Sequence, residues 1–104
     1  MDNLYYNPEA ANLKTIGELD RSGGSYEYDT FVVWKHSDGR IFCAEDSGCS
    51  CPTPFGDFTR LEDLTLVDSE SQLRYLLGEW RGEDNEYVSK EDINSLVEQT
   101  FPGR

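Results

Sequence analysis

The sequence is short of the residue types from which most enzyme active sites are built. It has one histidine and three cysteines, and it contains 9 basic residues compared with 21 acidic ones. No second histidine is present to act as a general base. The glycine pair at 23–24 lacks the lysine and the spacing of a phosphate-binding loop. No pair of carboxylates is flanked by apolar residues that would give its two members different pKa values. We therefore expect a protein that is not an enzyme.

Long apolar runs are also missing. No run reaches the length of a membrane-spanning helix, and residues 1–10 have neither the basic nor the apolar part of a signal peptide. Three cysteines make an odd number, at a spacing unlike that of a secreted disulfide framework. These absences predict a protein of a reducing cytoplasm with no membrane partner. Its 104 residues predict a single domain over 1–104.

Negative charge is abundant, with a net charge of −12 that is spread along the chain. Such a charge repels the phosphates of nucleic acids and anionic membrane surfaces, so we expect no direct binding to DNA or RNA. The same charge attracts a basic protein surface. It could also imitate a nucleic acid in front of a protein that binds one.

The first two thirds of the chain predict an antiparallel sheet of about three strands, with helices on one face in an α+β fold. The sheet-forming part spans 13–67 and its central hairpin 26–45. Residues 13–19 alternate loosely and predict a first strand, with Leu13, Thr15, Gly17 and Leu19 on one side. Residues 26–36 predict a strand that is apolar on both faces, which is typical of a central strand covered on both sides.

The register of this hairpin depends on the length of its turn. A two-residue loop would pair Trp34 with Cys43, whereas a three-residue loop with Gly39 in a bulge would pair Trp34 with Phe42. A shift of one residue exchanges the two faces of a strand. The sequence leaves open which face Cys43 occupies, and the return strand is predicted over 40–45.

The part from 69 to 101 predicts a C-terminal helix pair. Capping-box patterns begin at Ser69 and Ser89, and a third at 59–62 predicts a short helical turn that ends near Leu64. The first long helix ends near Gly82. Apolar residues at helical spacing form two stripes, which would serve a core or a homo-oligomer: Leu73, Leu76, Leu77 and Trp80 in the first helix, and Ile93, Leu96, Val97 and Phe101 in the second.

The segment DSGCSCPTPFGDF at 46–58 raises the question of a metal site. His36, Cys43, Cys49 and Cys51 are the residue types that zinc prefers. Their spacing lacks the C-x2-C pair that lets two thiolates reach one ion from a tight turn. A site that used both His36 and Cys43 would also require the two-residue hairpin loop. We predict no metal and no other cofactor, and keep a zinc-stabilised protein as an alternative.

The same segment does not favour a reactive thiol. Glu45, Asp46 and Asp57 stand near its cysteines, and no basic residue lies between Arg40 and Arg60. Nearby carboxylates disfavour the thiolate and raise the pKa of the thiol, which weakens the nucleophile.

A structural role, with small thiols that bury well, suits the segment better, and a binding role is the alternative. Pro52 and Pro54 stiffen the backbone, and Phe55 and Phe58 can anchor it to the sheet, which gives a loop of fixed shape. For that alternative we predict a partner-binding surface made of an acidic face and this loop, with exposed aromatic residues such as Trp80 as anchors. The predicted loop residues are Asp46, Ser47, Gly48, Cys49, Cys51, Pro52, Pro54 and Phe55.

The stretches SYEYD at 25–29, VW at 33–34, DG at 38–39 and DSGCSCPTPF at 46–55 also carry a family pattern. The chain resembles, over roughly residues 5 to 67, small acidic proteins of actinobacteriophages, especially mycobacteriophages, that share SYEFD…VW…DG…DSGCSCPxPF. The resemblance implies a phage origin and action in the cytoplasm of the bacterial host. It implies no activity, cofactor or catalytic residue.

Together these features predict a small acidic, non-enzymatic phage protein that binds and modulates a host bacterial protein. One alternative is a nucleic-acid mimic that occupies the basic groove of a host protein. The other is a zinc-stabilised or thiol-active protein that uses Cys43, Cys49 and Cys51.

Overall fold

The structure, a computed structural model, describes residues 3–22, 27–49, 55–56, 58–83 and 85–102, with only the backbone at Glu27 and Cys49. The fold is α+β, as predicted. Four antiparallel strands form one sheet in the order β1-β2-β3-β4, and two helices follow. The elements are β1 (Leu13–Asp20), β2 (Glu27–His36), β3 (Ile41–Cys49), β4 (Thr65–Val67), α1 (Glu70–Arg81) and α2 (Lys90–Thr100), with short 3-10 turns at Pro8–Ala11 and Leu61–Asp63.

The β2–β3 hairpin has the three-residue loop. Trp34 lies opposite Phe42 and Val33 opposite Cys43. The His36 N–H donates to the Arg40 carbonyl at 2.8 Å, and Gly39 has φ +100°, which favours glycine. Cys43 therefore shares a face of the sheet with Val33, whereas His36 shares the opposite face with Trp34.

Both faces of the sheet are covered, as predicted for a strand that is apolar on both sides. On the helix face, α1 and α2 pack against Phe31, Val33, Ile41, Cys43 and Val67. On the other face, which we call the aromatic face, residues 4–11, 55 and 58–64 cover Leu13, Val32, Trp34, Phe42 and Ala44. Val32, Val33 and Trp34 are completely buried at the centre of β2.

A β-bulge changes the predicted pattern of β1. Thr15 lies opposite Trp34 and Gly17 opposite Val33, so Ile16 is the extra residue between them. The bulge moves the alternation by one position, and Leu13 and Leu19 face opposite sides of the sheet. The prediction that both lie on one side is therefore wrong. A Cβ at Gly17 would come within 2.9 Å of the Leu96 side chain, which shows how closely α2 approaches this strand.

Strand β3 is longer than predicted. It continues past residue 45 to Cys49, and Asp46, Ser47 and Gly48 pair with Thr30, Asp29 and Tyr28 of β2. These positions belong to the sheet rather than to a loop, because the pairing with β2 extends to the Glu27–Cys49 pair.

The helix boundaries follow the predicted caps. Ser69 accepts the Gln72 N–H at 3.1 Å, and Ser89 and Asp92 cap each other's N–H groups. The third cap is shifted by one residue, since Asp63 rather than Glu62 accepts the N–H groups of Thr59 and Arg60. In the described part of the chain, neither helix combines the length and apolarity that crossing a membrane requires.

Gly78 and Gly39 allow the effect of backbone conformation on stability to be tested, because a side chain added at either position meets no neighbouring atom. Gly78 lies inside α1 and Gly39 has φ +100°, and a Cβ at either position meets no atom within 4 Å. We expect Gly78→Ala to raise the free energy of unfolding by about 0.5–1 kcal/mol, because alanine loses less backbone entropy in a helix. The matched Gly39→Ala change should lower it by about 1–3 kcal/mol, because alanine is strained at positive φ. Urea unfolding measures both, and the same sign for both would contradict this account.

Candidate binding surface

Charged residues of the three long strands are segregated along the sheet. Lys14, Lys35 and His36 lie in the half next to the β2–β3 turn, where β1, β2 and β3 carry no acidic residue. We call this the basic half. The acidic half begins at the Glu18–Val32 pair and holds every acidic residue of these strands: Glu18, Asp20, Glu27, Asp29, Glu45 and Asp46.

The antiparallel register produces this segregation. β1 begins with its lysine and ends with its acids, whereas β2 begins with its acids and ends with its lysine. Antiparallel pairing therefore places like charges side by side. Thr30, for example, has Asp20 as its partner on β1 and Asp46 as its partner on β3. No two acids of these strands are direct cross-strand partners, whereas Lys14 and Lys35 are, and a directly opposed pair of like charges destabilises a sheet.

Hydrogen bonds hold Asp20 in its charged form. Its carboxylate accepts the Ser22 N–H at 2.7 Å, the Thr30 hydroxyl at 2.8 Å and the Asp29 N–H at 3.4 Å. Partial burial raises the pKa of Asp20, but these hydrogen bonds outweigh it, and the net pKa lies below the ordinary value. The acidic half therefore presents a fixed anionic group at the end of β1.

Asp46 joins β3 to Phe55 by a hydrogen bond. Its Oδ2 accepts the Phe55 N–H at 2.8 Å and the Tyr28 hydroxyl at 3.1 Å. Phe55 has a left-handed φ of +61° and is completely buried, with its ring stacked on Tyr5 at 4.9 Å. Phe58 packs on the same ring at 5.4 Å. Phe55 and Phe58 themselves pack against the sheet, as predicted, while residues 50–54 and 57 between and before them lie outside the described residues.

The N-terminal segment is attached beside Phe55. The Tyr5 hydroxyl donates to Glu18 at 2.8 Å, and burial together with this carboxylate raises the pKa of Tyr5. Tyr6 packs edge-on against Tyr5 at 4.9 Å and is 60% exposed. An exposed tyrosine on a rigid support, next to a carboxylate, is a suitable contact for another protein.

On the helix face, Asp29 connects the acidic half to α1. It accepts the Trp80 indole N–H at 2.9 Å and the Arg21 guanidinium at 2.7 Å, and Arg21 also donates to the Arg81 carbonyl at 3.1 Å. Burial and the charge of Asp29 raise the pKa of neighbouring Glu45, which Arg21 partly offsets. This network ties the C-terminal end of α1 to the sheet.

Two residues predicted as partner contacts are buried. Trp80 is 4% exposed, not an exposed anchor, because its ring lies against Phe31 and under Arg21. Phe55 has no exposed surface at all. Both side chains stabilise the fold, so the prediction that they contact a partner directly is wrong.

The other predicted residues fall into two groups. Asp46, Ser47, Gly48 and Cys49 lie together at the end of β3 in the acidic half, and Ser47 and Gly48 are exposed. Cys51, Pro52 and Pro54 lie outside the described residues. Sequence reasoning missed Glu18, Asp20 and Asp29 as neighbours of this segment. The opposite order of lysine and acids in β1 and β2 was the signal that could have found them.

The zinc candidates do not come together. Cys43 and His36 lie on opposite faces of the sheet. Cys43 is the cross-strand partner of Val33, whereas His36 lies two residues after Trp34 and shares its face. Cys43 and Cys49 are six residues apart in one strand, which separates them by about 20 Å. No group of three metal-ligating side chains converges within the ranges described above. A single ion bound by these three residues is therefore ruled out by geometry.

Comparison with known proteins gives one match. A protein-family profile described as "Domain of unknown function (DUF7574)" matches residues 2–102. No curated protein and no solved structure matches the chain.

Removing the Asp46 side chain tests its link to Phe55. We expect Asp46→Ala to lower the free energy of unfolding by about 1–3 kcal/mol, because the buried Phe55 N–H loses its acceptor. Asp46→Asn keeps an acceptor oxygen and should cost less. Urea unfolding measures both, with exposed Asp68→Ala as the control that changes little. Equal losses for the alanine and asparagine variants would argue against this hydrogen bond.

Cys43 should resist thiol reagents in the folded protein. The thiol is 2% exposed, and burial, with a further effect of Glu45, raises its pKa to about 12. The reactive thiolate thus forms only as the pH approaches 12. In a variant with Cys49→Ser and Cys51→Ser, we expect Ellman's reagent at pH 8 to label Cys43 only after denaturant is added. Fast labelling of the native variant would contradict the burial.

Proposed function

We propose that this chain, which belongs to the DUF7574 family, is a non-catalytic protein that binds a basic surface of another protein through the acidic half of its sheet. Its resemblance to actinobacteriophage proteins extends the proposal to a phage protein that modulates a host bacterial protein in the host cytoplasm. The segregation of charge along the sheet is the observation that carries the proposal.

Most acidic side chains in the described part of the protein have no basic side chain within ion-pair distance. Among the side chains that the structure describes, three carboxylates lie within ion-pair distance of a basic or histidine side chain, namely Asp29, Asp38 and Glu70. Glu18, Asp20, Glu45 and Asp46 have no such neighbour. A surface of uncompensated charge accelerates and orients association with an oppositely charged partner. A basic protein surface is therefore the best fit.

The acidic half also has a fixed shape. Asp20 is held by three residues, and Asp46 joins β3 to the buried Phe55. Groups that are already ordered lose little entropy on binding, so more of the contact energy appears as affinity. Exposed Tyr6, supported by Tyr5, offers an aromatic contact near Glu18.

The two alternatives fit less well. A nucleic-acid mimic needs its carboxylates in rows at phosphate-like spacing on one face. Here Glu18, Asp20 and Asp46 lie on the aromatic face, Asp29 and Glu45 lie on the helix face, and more acids lie on α1, α2 and their connector. A zinc or thiol protein would need Cys43, which is buried apart from His36 and from Cys49. Binding to a basic protein surface does not require regular rows of carboxylates, so it fits this end of the sheet better.

Matched charge changes test the proposal. Ser47 and Ser37 are both exposed, but Ser47 lies in the acidic half and Ser37 at the turn beside the basic half. We expect the immobilised wild type to capture one recurrent protein from a mycobacterial lysate, and added salt to weaken the capture. With that partner purified, Ser47→Lys should weaken binding about tenfold or more, whereas Ser37→Lys should leave it nearly unchanged.

A second pair tests the aromatic contact. Tyr6→Ala should weaken the same complex, while Tyr75→Ala on α1, which removes a similarly exposed ring (66% against 60%), should not. Failure to capture any recurrent partner would contradict the proposal. Capture that salt and Ser47→Lys leave unchanged would contradict it as well.

A further inference from the structure

The basic half of the sheet contains two lysines that face each other. Lys14 on β1 and Lys35 on β2 are direct cross-strand partners, and both side chains are exposed. Neither lies within ion-pair distance of a carboxylate in the described part of the chain. A directly opposed pair of like charges destabilises a sheet. In a protein with a net charge of −12, this pair is a local concentration of positive charge.

A cleft opens beside the two lysines, between β1 and the last turn of α2. Its volume is about 410 Å³, and its walls include Thr15, Ile16, Gln99, Thr100 and Pro102. The β-bulge at Ile16 helps to shape this wall, because a bulge bends the strand and redirects side chains. The volume lies within the range of small-molecule sites. A second cleft of about 270 Å³ is also lined by the two lysines, together with His36 and Ser37.

The groups around the larger cleft define the chemistry of its ligand. Two ammonium groups supply positive charge, and the Gln99 amide can donate a hydrogen bond. The Thr100 hydroxyl already donates to the Leu96 carbonyl at 2.8 Å, so it is not a free donor. Ile16 and Pro102 supply apolar surface. An inorganic anion would use the charges but not the apolar wall.

We infer that this cleft binds a small organic anion, a carboxylate carried on an apolar body, with Lys14 and Lys35 paired to the carboxylate and Ile16 and Pro102 against the apolar part. The site lies at the opposite end of the sheet from the acidic half. It is independent of the protein-binding proposal, and either can fail without the other.

A purely structural role for the lysines makes a different prediction. α2 has no basic residue in its last turn, and positive charge near the free carbonyls of a helix C-terminus stabilises the helix. If Lys14 and Lys35 serve only that end, removing them lowers stability and no ligand is involved. The test therefore measures binding and stability separately.

The experiment titrates three probes into ¹⁵N-labelled full-length protein at constant ionic strength. Phthalate carries carboxylates on an aromatic body, phthalamide is its neutral counterpart, and inorganic phosphate has charge without an apolar body. We expect saturable amide shifts with phthalate, centred on Thr15, Ile16, Lys35, Gln99 and Thr100. Phthalamide should cause none, and phosphate should bind more weakly.

Lysine variants assign the charges. Lys14→Gln and Lys35→Gln should each weaken phthalate binding about tenfold, the usual effect of losing one charge-assisted hydrogen bond. Lys90→Gln changes the only other lysine of the chain, at the start of α2, and should have no effect.

Four results would overturn the inference. They are no saturable phthalate shift in the millimolar range, an equal response to phthalamide, phosphate binding as tight as phthalate binding, and glutamine variants that lose stability but keep phthalate affinity. Because the wild-type titration alone decides the first three, the inference stays testable even if a variant fails to fold.

Discussion

The pairing of Trp34 with Phe42 across the β2–β3 hairpin is the constraint on which the rest of the structure depends. Gly39, at positive φ, closes a three-residue loop that permits this register and no neighbouring one. From it follow the helix face, which takes Val33 and Cys43, and the aromatic face, which takes Trp34. A shift of one residue would move Cys43 out from under the helices and expose the surface that Phe55 now covers.

The same register decides where the charges lie. Antiparallel pairing brings the acids of three strands together at one end of the sheet. At the other end it places two lysines directly opposite each other, at a cost in stability. Real proteins break such local rules most often at functional sites. The two halves suit two different tasks: the acidic half offers a rigid anionic surface to a protein, and the basic half offers a cleft to a small anion. Their separation allows both without mutual interference.

Aromatic side chains in this protein serve mainly the interior. Phe55 is held by the Asp46 carboxylate through its backbone and by Tyr5 and Phe58 through its ring. Trp80 is held by Asp29 through its indole N–H. In each case an acid of the acidic half supports a buried ring. Two carboxylates of the proposed binding surface, Asp46 and Asp29, thus also hold Phe55 and the end of α1 in place, so changing either one affects the core as well as the surface.

The sequence by itself determined the local elements: the helix caps at Ser69 and Ser89, the apolar face of α1, the two-sided burial of β2 and the turn at Gly39. These follow from periodicity and from the conformations that single residues allow. It left the hairpin register open, and it missed the bulge at Ile16 and the length of β3, because each depends on which residue of another strand lies opposite. The acidic half was decided by the tertiary structure alone, since charges far apart in sequence become neighbours only when antiparallel strands pair.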